Sequence, residues 1–239
     1  MLPKIQYPLT DLTLPTNGKI LKVRPFLVKE EKILLMAKEA ASAEGANYQK
    51  EVLRAVQQIV QNCVQEKDFD AEKLAMADLE WLFLKLRAIS VENVVKVSYR
   101  DPEDDKVYDF SINLDEIQVD MTKVTTSVID CGSVKLGMRY PRAALFLGDV
   151  PKNGTEELER LLKHTISHIE EAGGKKYDLA EVKTEDLQEF IESIPGKALE
   201  DIKKFWQGAP NLKHEIKYTN SKGTERSIAL TSLFDFFSF

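Results

Sequence analysis

The segment "DLEWLFLKLRAIS", residues 78–90, constrains the fold more than any other part of the chain. Leu79, Leu82, Phe83 and Leu86 recur at helical spacing on one face, and Trp81 and Leu84 occupy another. A helix that is apolar nearly all round has no face for water, so other elements must enclose it. The spacing predicts a helix over about 77–89 at the centre of a core.

What flanks this helix on the C-terminal side changes period. Val95, Val97 and Tyr99 alternate, "RDPEDDK" supplies a charged turn, and Tyr108, Phe110, Ile112 and Leu114 alternate on the return. Residues 123–140 read as another hairpin, turning at Asp130-Cys131-Gly132-Ser133 with Val134, Leu136, Met138 and Tyr140 on one face. On the N-terminal side, residues 9–26 form a hairpin from Leu12 and Leu14, the turn Pro15-Thr16-Asn17-Gly18, and Leu21 and Val23, ended by Pro25. Two helices are expected between, about 28–43 with Ile33, Met36, Ala37 and Ala40 on its stripe, and about 47–66 with Tyr48, Val52, Val56, Ile59 and Cys63.

Beyond "GDVPKNG" at 148–154, which reads as a linker, the pattern is helical again. Thr155 is a candidate N-cap for a helix carrying Leu158, Leu161, Leu162, Ile166 and Ile169 up to Gly173-Gly174. Thr184 starts another with Leu187, Phe190 and Ile191, interrupted by Pro195-Gly196, and a further helix runs to Trp206. Leu212, His214, Ile216 and Tyr218 then alternate into "NSKG", and Ile228 and Leu230 return. The expected fold is α+β, with helical segments and several antiparallel β-hairpins. Two domains are expected, 1–147 and 155–239, and a loose echo of helix followed by hairpin allows two helix-plus-hairpin lobes.

The candidate chemistry is sparse. Gly18-Lys19 lies in a tight turn with Ile20 where a phosphate loop needs Ser or Thr, so the turn is structural. His164 and His168 stand at i and i+4 on the expected helix, a spacing that suits a metal, but Thr165 replaces the glutamate of the zinc-protease motif. A surface histidine pair is the plainer reading. Carboxylates cluster at turns and helix starts, where solvation and the helix dipole explain them. Cys63 falls on an apolar stripe and Cys131 in a turn, both read as reduced thiols. No catalytic residue, metal site or cofactor follows from the sequence.

The net charge of −6, from 33 basic and 39 acidic residues, lacks the basic excess of a general nucleic-acid binder. With no signal-like start and no uninterrupted apolar run long enough for a bilayer, a soluble protein without membrane partners is expected. The last six residues hold four phenylalanines, Phe234, Phe236, Phe237 and Phe239. This tail either folds into the core or docks into a partner, and the sequence leaves both open.

"LPTNGKILKVRPFLVKEEKILLMA", "VQQIVQNCV" and "DLEWLFLKLRAISV" together resemble the baseplate hub family of T4-like contractile-tailed phages, over roughly residues 3–100. The second half is similar chiefly in length and in its "LFDFF" ending. In that family the hairpin tips often carry paired cysteines resembling a small zinc ribbon. Here the tips read RDPEDDK at 100–106 and TNSKGT at 219–224, so charge and turn chemistry must hold them.

The resemblance implies a non-enzymatic hub subunit or hub-assembly factor, acting on other hub or tape-measure proteins in the host cytoplasm and in the virion. A transient chaperone for the tape-measure protein is the alternative, and a metal-dependent hydrolase using His164 and His168 is a remote third. The expected contact surfaces are the Arg24-Pro25-Phe26 turn and the phenylalanine tail.

Overall fold

Two compact units make up the chain, Met1–Asp120 with Asn211–Phe239, and Met121–Pro210. The computed structural model describes residues 3, 5–42, 47–179 and 182–236. The first unit opens with the expected hairpin, β1 (Thr10–Thr13) and β2 (Ile20–Val23), with Leu12 opposite Leu21. Gly18 sits at φ 71°, a left-handed conformation that glycine adopts without a Cβ clash. The alternation is obeyed on β2: Leu21 and Val23 are buried, whereas Ile20 and Lys22 face out. Val23 also bridges to Val64, which fastens the hairpin to the end of the second helix.

Three helices follow, α1 (Val28–Ala41), α2 (Tyr48–Cys63) and α3 (Met76–Ser90). The Asn47 side chain caps α2 by accepting from the Lys50 amide, and α2 buries Val52, Leu53, Val56, Ile59, Val60 and Cys63 along one stripe. Helix α3 buries Leu79, Leu82, Phe83, Leu84 and Leu86, as its all-round apolar character demands, together with Asp78 and Glu80. In α1 the expected stripe is not the buried one. Among Val28 to Ala40 only Glu30 is buried, and Met36 is turned outward. Strands β3 (Val94–Arg100) and β4 (Val107–Asn113) pair with Tyr99 opposite Tyr108, and β5 (Gln118–Asp120) ends this passage.

The second unit is a four-stranded antiparallel meander with helices. Its elements are β6 (Val128–Asp130), β7 (Val134–Met138), α4 (Ala143–Leu147), α5 (Gly154–Thr165), β8 (Ile166–Glu171), β9 (Lys176–Asp178), α6 (Thr184–Glu192) and α7 (Gly196–Gln207). Leu136, Met138, Leu162, Ile166, Ile202 and Phe205 are among the residues of its core. The helix expected to reach Ile169 stops at Thr165, and the next residue begins a strand. The β-branched residues Ile166 and Ile169 gain core positions and ladder bonds from pairing with β7, which a helix would deny them. Gly173-Gly174 accordingly forms the β8–β9 turn, with Gly174 at φ 83°, instead of a helix end. Asn153, not Thr155, caps α5, accepting from the Thr155 and Glu156 amides.

Residues 148–154, read as a linker, lie inside this unit. Arg160 of α5 holds them by donating to the Leu145 and Asp149 carbonyls at 3.0 Å each. The divisions fall at 120/121 and 210/211 instead of between 147 and 155. The cause is a strand pairing. On its return the chain forms β10 (Asn211–Thr219) and β11 (Glu225–Leu230), and β10 pairs with β11 on one edge and β5 on the other. Asp120 is opposite Asn211 and Val119 opposite Leu212, so the second unit is an insertion between two paired strands. A 3₁₀ turn, Leu233–Asp235, closes the described chain. Seven helices and eleven strands in small antiparallel sheets, among the described residues, make the fold α+β as expected.

Candidate functional site

The two hairpin tips singled out in the sequence are clasped together within the first unit. At the β3–β4 tip, the Asp101 carboxylate accepts from the Glu103 amide at 2.8 Å, which winds the turn, and Asp105 takes φ 58° to close it. At the β10–β11 tip, Asn220 does the same work, accepting from the Lys222 and Thr224 amides, with Gly223 at φ 84°. Each turn is therefore shaped by its own Asx side chain.

Across the gap, every acidic residue of 101–104 meets donors. Tyr218 donates to Asp101 at 2.6 Å, and Asn220 and Arg226 donate to Glu103 at 2.8 and 2.9 Å. The Ser221 amide and hydroxyl reach Asp104 at 3.0 and 2.7 Å, and Tyr108 reaches the same carboxylate at 2.6 Å. Under this polar layer the Tyr218 ring packs on Tyr108 and Phe110, with centroids 4.9 and 5.3 Å away.

The Tyr218 hydroxyl, with amide bonds and Arg226, holds Asp101 below the usual carboxylate range. Asn220 and Thr224 do so for Glu103. Asp104 is held down as well: burial opposes, but Tyr108 and Ser221 outweigh it. Charge and turn chemistry thus fasten the tips, as the sequence requires, and the donor set is hydroxyl, amide and guanidinium.

Arg24-Pro25-Phe26 is turned inward, contrary to its expected role as a contact surface. Arg24 is 3% exposed and Phe26 8%. The Arg24 guanidinium forks onto Glu30 at 2.9 and 3.0 Å and also donates to the Pro25 and Asn62 carbonyls. Glu30 in turn accepts from the Leu27 amide at the start of α1. Phe26 packs on Phe83 at 5.8 Å, and its amide donates to Ser90. A guanidinium so far from water needs its countercharge and bonds, which is why the turn faces inward. Pro25 is half-buried.

The phenylalanine tail divides. Phe236 is buried and Phe234 half-buried, its ring 6.3 Å from Tyr48, while Phe237 and Phe239 lie outside the described residues. The turn before them is fastened to α3: the Leu233 amide donates to the buried Glu80 carboxyl at 2.9 Å. Burial pushes Glu80 up to about 7 against that hydrogen bond, and Asp235 adds to the rise.

The histidine pair does not share a helix face. His164 ends α5 and His168 lies in β8. Burial, then Arg139 and Arg160, favours neutral His164, and the same positive field opposes a metal cation. His168 lies over Gly137 on the neighbouring strand, where a Cβ would overlap its ring, and its Nδ1 is 2.9 Å from the Ser167 hydroxyl. Among the described residues no three His, Cys, Asp or Glu side chains converge as a metal site. Burial raises both thiols, Cys63 to about 12, which leaves neither a ready nucleophile.

The outward-facing feature that sequence reasoning missed is on α1. Val28, Leu35 and Met36 are 72%, 60% and 68% exposed. The signal was present in the run Leu34-Leu35-Met36, since three consecutive apolar residues cannot all face one side of a helix.

No helix among the described residues is long and apolar enough to cross a membrane. No curated protein and no solved structure matches the chain. The profile of a family described as T4 bacteriophage base plate protein matches residues 5–238, spanning both compact units and both hairpin tips. The chain belongs to that family of phage baseplate proteins.

Proposed function

We propose that the protein is a baseplate hub subunit or hub-assembly factor that works through protein–protein contacts without catalysing a reaction. The observation that carries this reading is where its perturbed groups lie. Catalytic groups with shifted acidity converge in a cleft. Here Arg24–Glu30, Asp78, Glu80 and the acidic hairpin tip are dispersed, and each fastens backbone or a neighbouring side chain of its own unit. Among the residues that the first unit exposes, Val28, Leu35 and Met36 stand on one helix, α1, between charged side chains. Apolar anchors within a polar rim are the anatomy of a contact surface.

Purified mature particles distinguish the two finer roles. A stoichiometric band identifies a hub subunit, and absence from the particle together with capture of tape-measure or hub proteins from infected cells identifies an assembly factor or chaperone. The double substitution L35E/M36E is expected to abolish that capture with folding unchanged; undiminished capture removes α1 from the proposal. Replacing His164 and His168 together by alanine is expected to leave phage yield intact. A lost yield with a folded protein overturns the non-catalytic reading.

A further inference from the structure

The outward residues of α1 form an ordered pattern. At about 100° per residue, Val28, Lys32, Leu35, Met36 and Glu39 fall within one face about 100° wide. All five are exposed. Leu35 and Met36 lie at the middle of the 14-residue helix. Lys32 precedes Leu35 by one turn and Glu39 follows Met36 by one turn, so opposite charges are placed symmetrically about an apolar centre. Neither Lys32 nor Glu39 forms an ion pair among the described residues.

A patch arranged in this way is complementary to itself under a two-fold rotation. When two such helices run antiparallel with Leu35 facing Met36, Lys32 of each copy stands opposite Glu39 of the other. A parallel alignment sets Lys32 against Lys32 and Glu39 against Glu39, which penalises that register. We infer that α1 is a homodimerisation surface, in which two copies of this chain pair their α1 helices antiparallel about Leu35 and Met36, with the Lys32–Glu39 pair formed twice. The contact is a single helix about 21 Å long, at the small end of specific interfaces, so a reversible monomer–dimer equilibrium is expected.

The inference rests on reading α1 as a contact surface and names the partner. Sedimentation equilibrium on the full chain tests it. Wild type dimerises with rising concentration, and L35E/M36E stays monomeric. K32E and E39K each raise the dissociation constant by about 10-fold, on the order of 1.4 kcal/mol. The double variant K32E/E39K exchanges the charges and regains the wild-type constant. Thermal unfolding of these solvent-facing variants at low concentration serves as the folding control. A chain that is monomeric up to about 1 mM overturns the dimer. So does a dimer that the single reversals leave unchanged or that the double reversal does not restore. If wild type is monomeric while L35E/M36E still loses tail partners, the dimer is defeated and the contact-surface reading survives.

Discussion

The β3–β4 tip and helix α3 both remove carboxylates from water, with opposite results. Asp101 at the tip is fully buried, and Asp78 and Glu80 on α3 are 1% and 5% exposed. Tyr218, two backbone amides and Arg226 surround Asp101, which stays ionised below the usual range. On α3, burial dominates. Asp78 rises although the Thr16 hydroxyl and amide bond it, and Glu80 rises to about 7 with the Leu233 amide as its donor. Exclusion of solvent alone therefore does not decide the outcome: Asp78 and Glu80 lie deeper in protein, where desolvation dominates, while Asp101 sits beneath a hairpin tip with more donors and a guanidinium. The pH consequences are opposed. A depressed group contributes stability above its unfolded value and loses it as pH falls through the folded value. A raised group loses stability as pH increases through the folded value.

The largest test converts one class into the other. Glu30 is as shielded from solvent as the α3 carboxyls, yet it is held low: burial opposes, and the Arg24 guanidinium with the Leu27 amide prevails. Arg24→Met should cost about 3–5 kcal/mol, because it strands a buried charge. Glu30 should then behave like Glu80, so the variant loses more stability at pH 8 than at pH 5 in urea unfolding. An equal loss at both pH values would falsify the idea that the countercharge sets the class.

Next in size is Glu80→Gln. The rise from 4.5 to about 7 corresponds to about 3 kcal/mol of stability withheld above neutrality. Relative to wild type, the variant should gain up to that amount above pH 7, less between 4.5 and 7, and none below. Denaturation midpoints compared across this range check it. A constant offset would mean that Glu80 titrates over the same pH range in the folded and the unfolded chain.

How far the sequence shows these contrasts depends on distance along the chain. Helices α2 and α3 and the hairpins are legible because their periods are local. Thr165 marks where locality fails: Leu158, Leu162 and Ile169 fit a helical stripe, while Ile166 and Ile169 also fit a strand, and only β7 decides between them. The division into units is harder still, since it rests on Val119 pairing with Leu212 across the whole inserted segment. The need for charge and turn chemistry at the tips is visible in RDPEDDK and TNSKGT, but not which donor serves which carboxylate. Arg24 misleads for a related reason. A lone arginine beside Pro and Phe reads as surface until Glu30, one helix start away, supplies its countercharge.

A smaller effect sharpens the α3 side. Thr16 fastens the β1–β2 turn by giving both its hydroxyl and its amide to Asp78. Thr16→Val keeps the amide bond and the shape but removes the hydroxyl. The expected loss is about 1 kcal/mol at neutral pH, with Asp78 rising further. An NMR titration of the Asp78 carboxyl reads the rise directly; an unmoved titration would mean that the amide alone sets its state.

Tyr218→Phe tests the tip with the least disturbance, because the ring contacts to Tyr108 and Phe110 remain and one hydroxyl is lost. That hydroxyl is the largest single influence holding Asp101 down. Without it, the folded value of Asp101 moves back toward its unfolded one, so the stability it lends above that value shrinks. The acid limb of unfolding should shift to higher pH, and the neutral-pH midpoint should fall slightly. Arg226 and the Glu103 amide remain on the carboxylate, so the shift should be partial. The combined variant Tyr218→Phe with Arg226→Gln should carry it further. If the single change leaves the acid limb where it was, the guanidinium and amides alone keep Asp101 ionised. The tip would then differ from α3 by its cation and amides, and not by the Tyr218 hydroxyl.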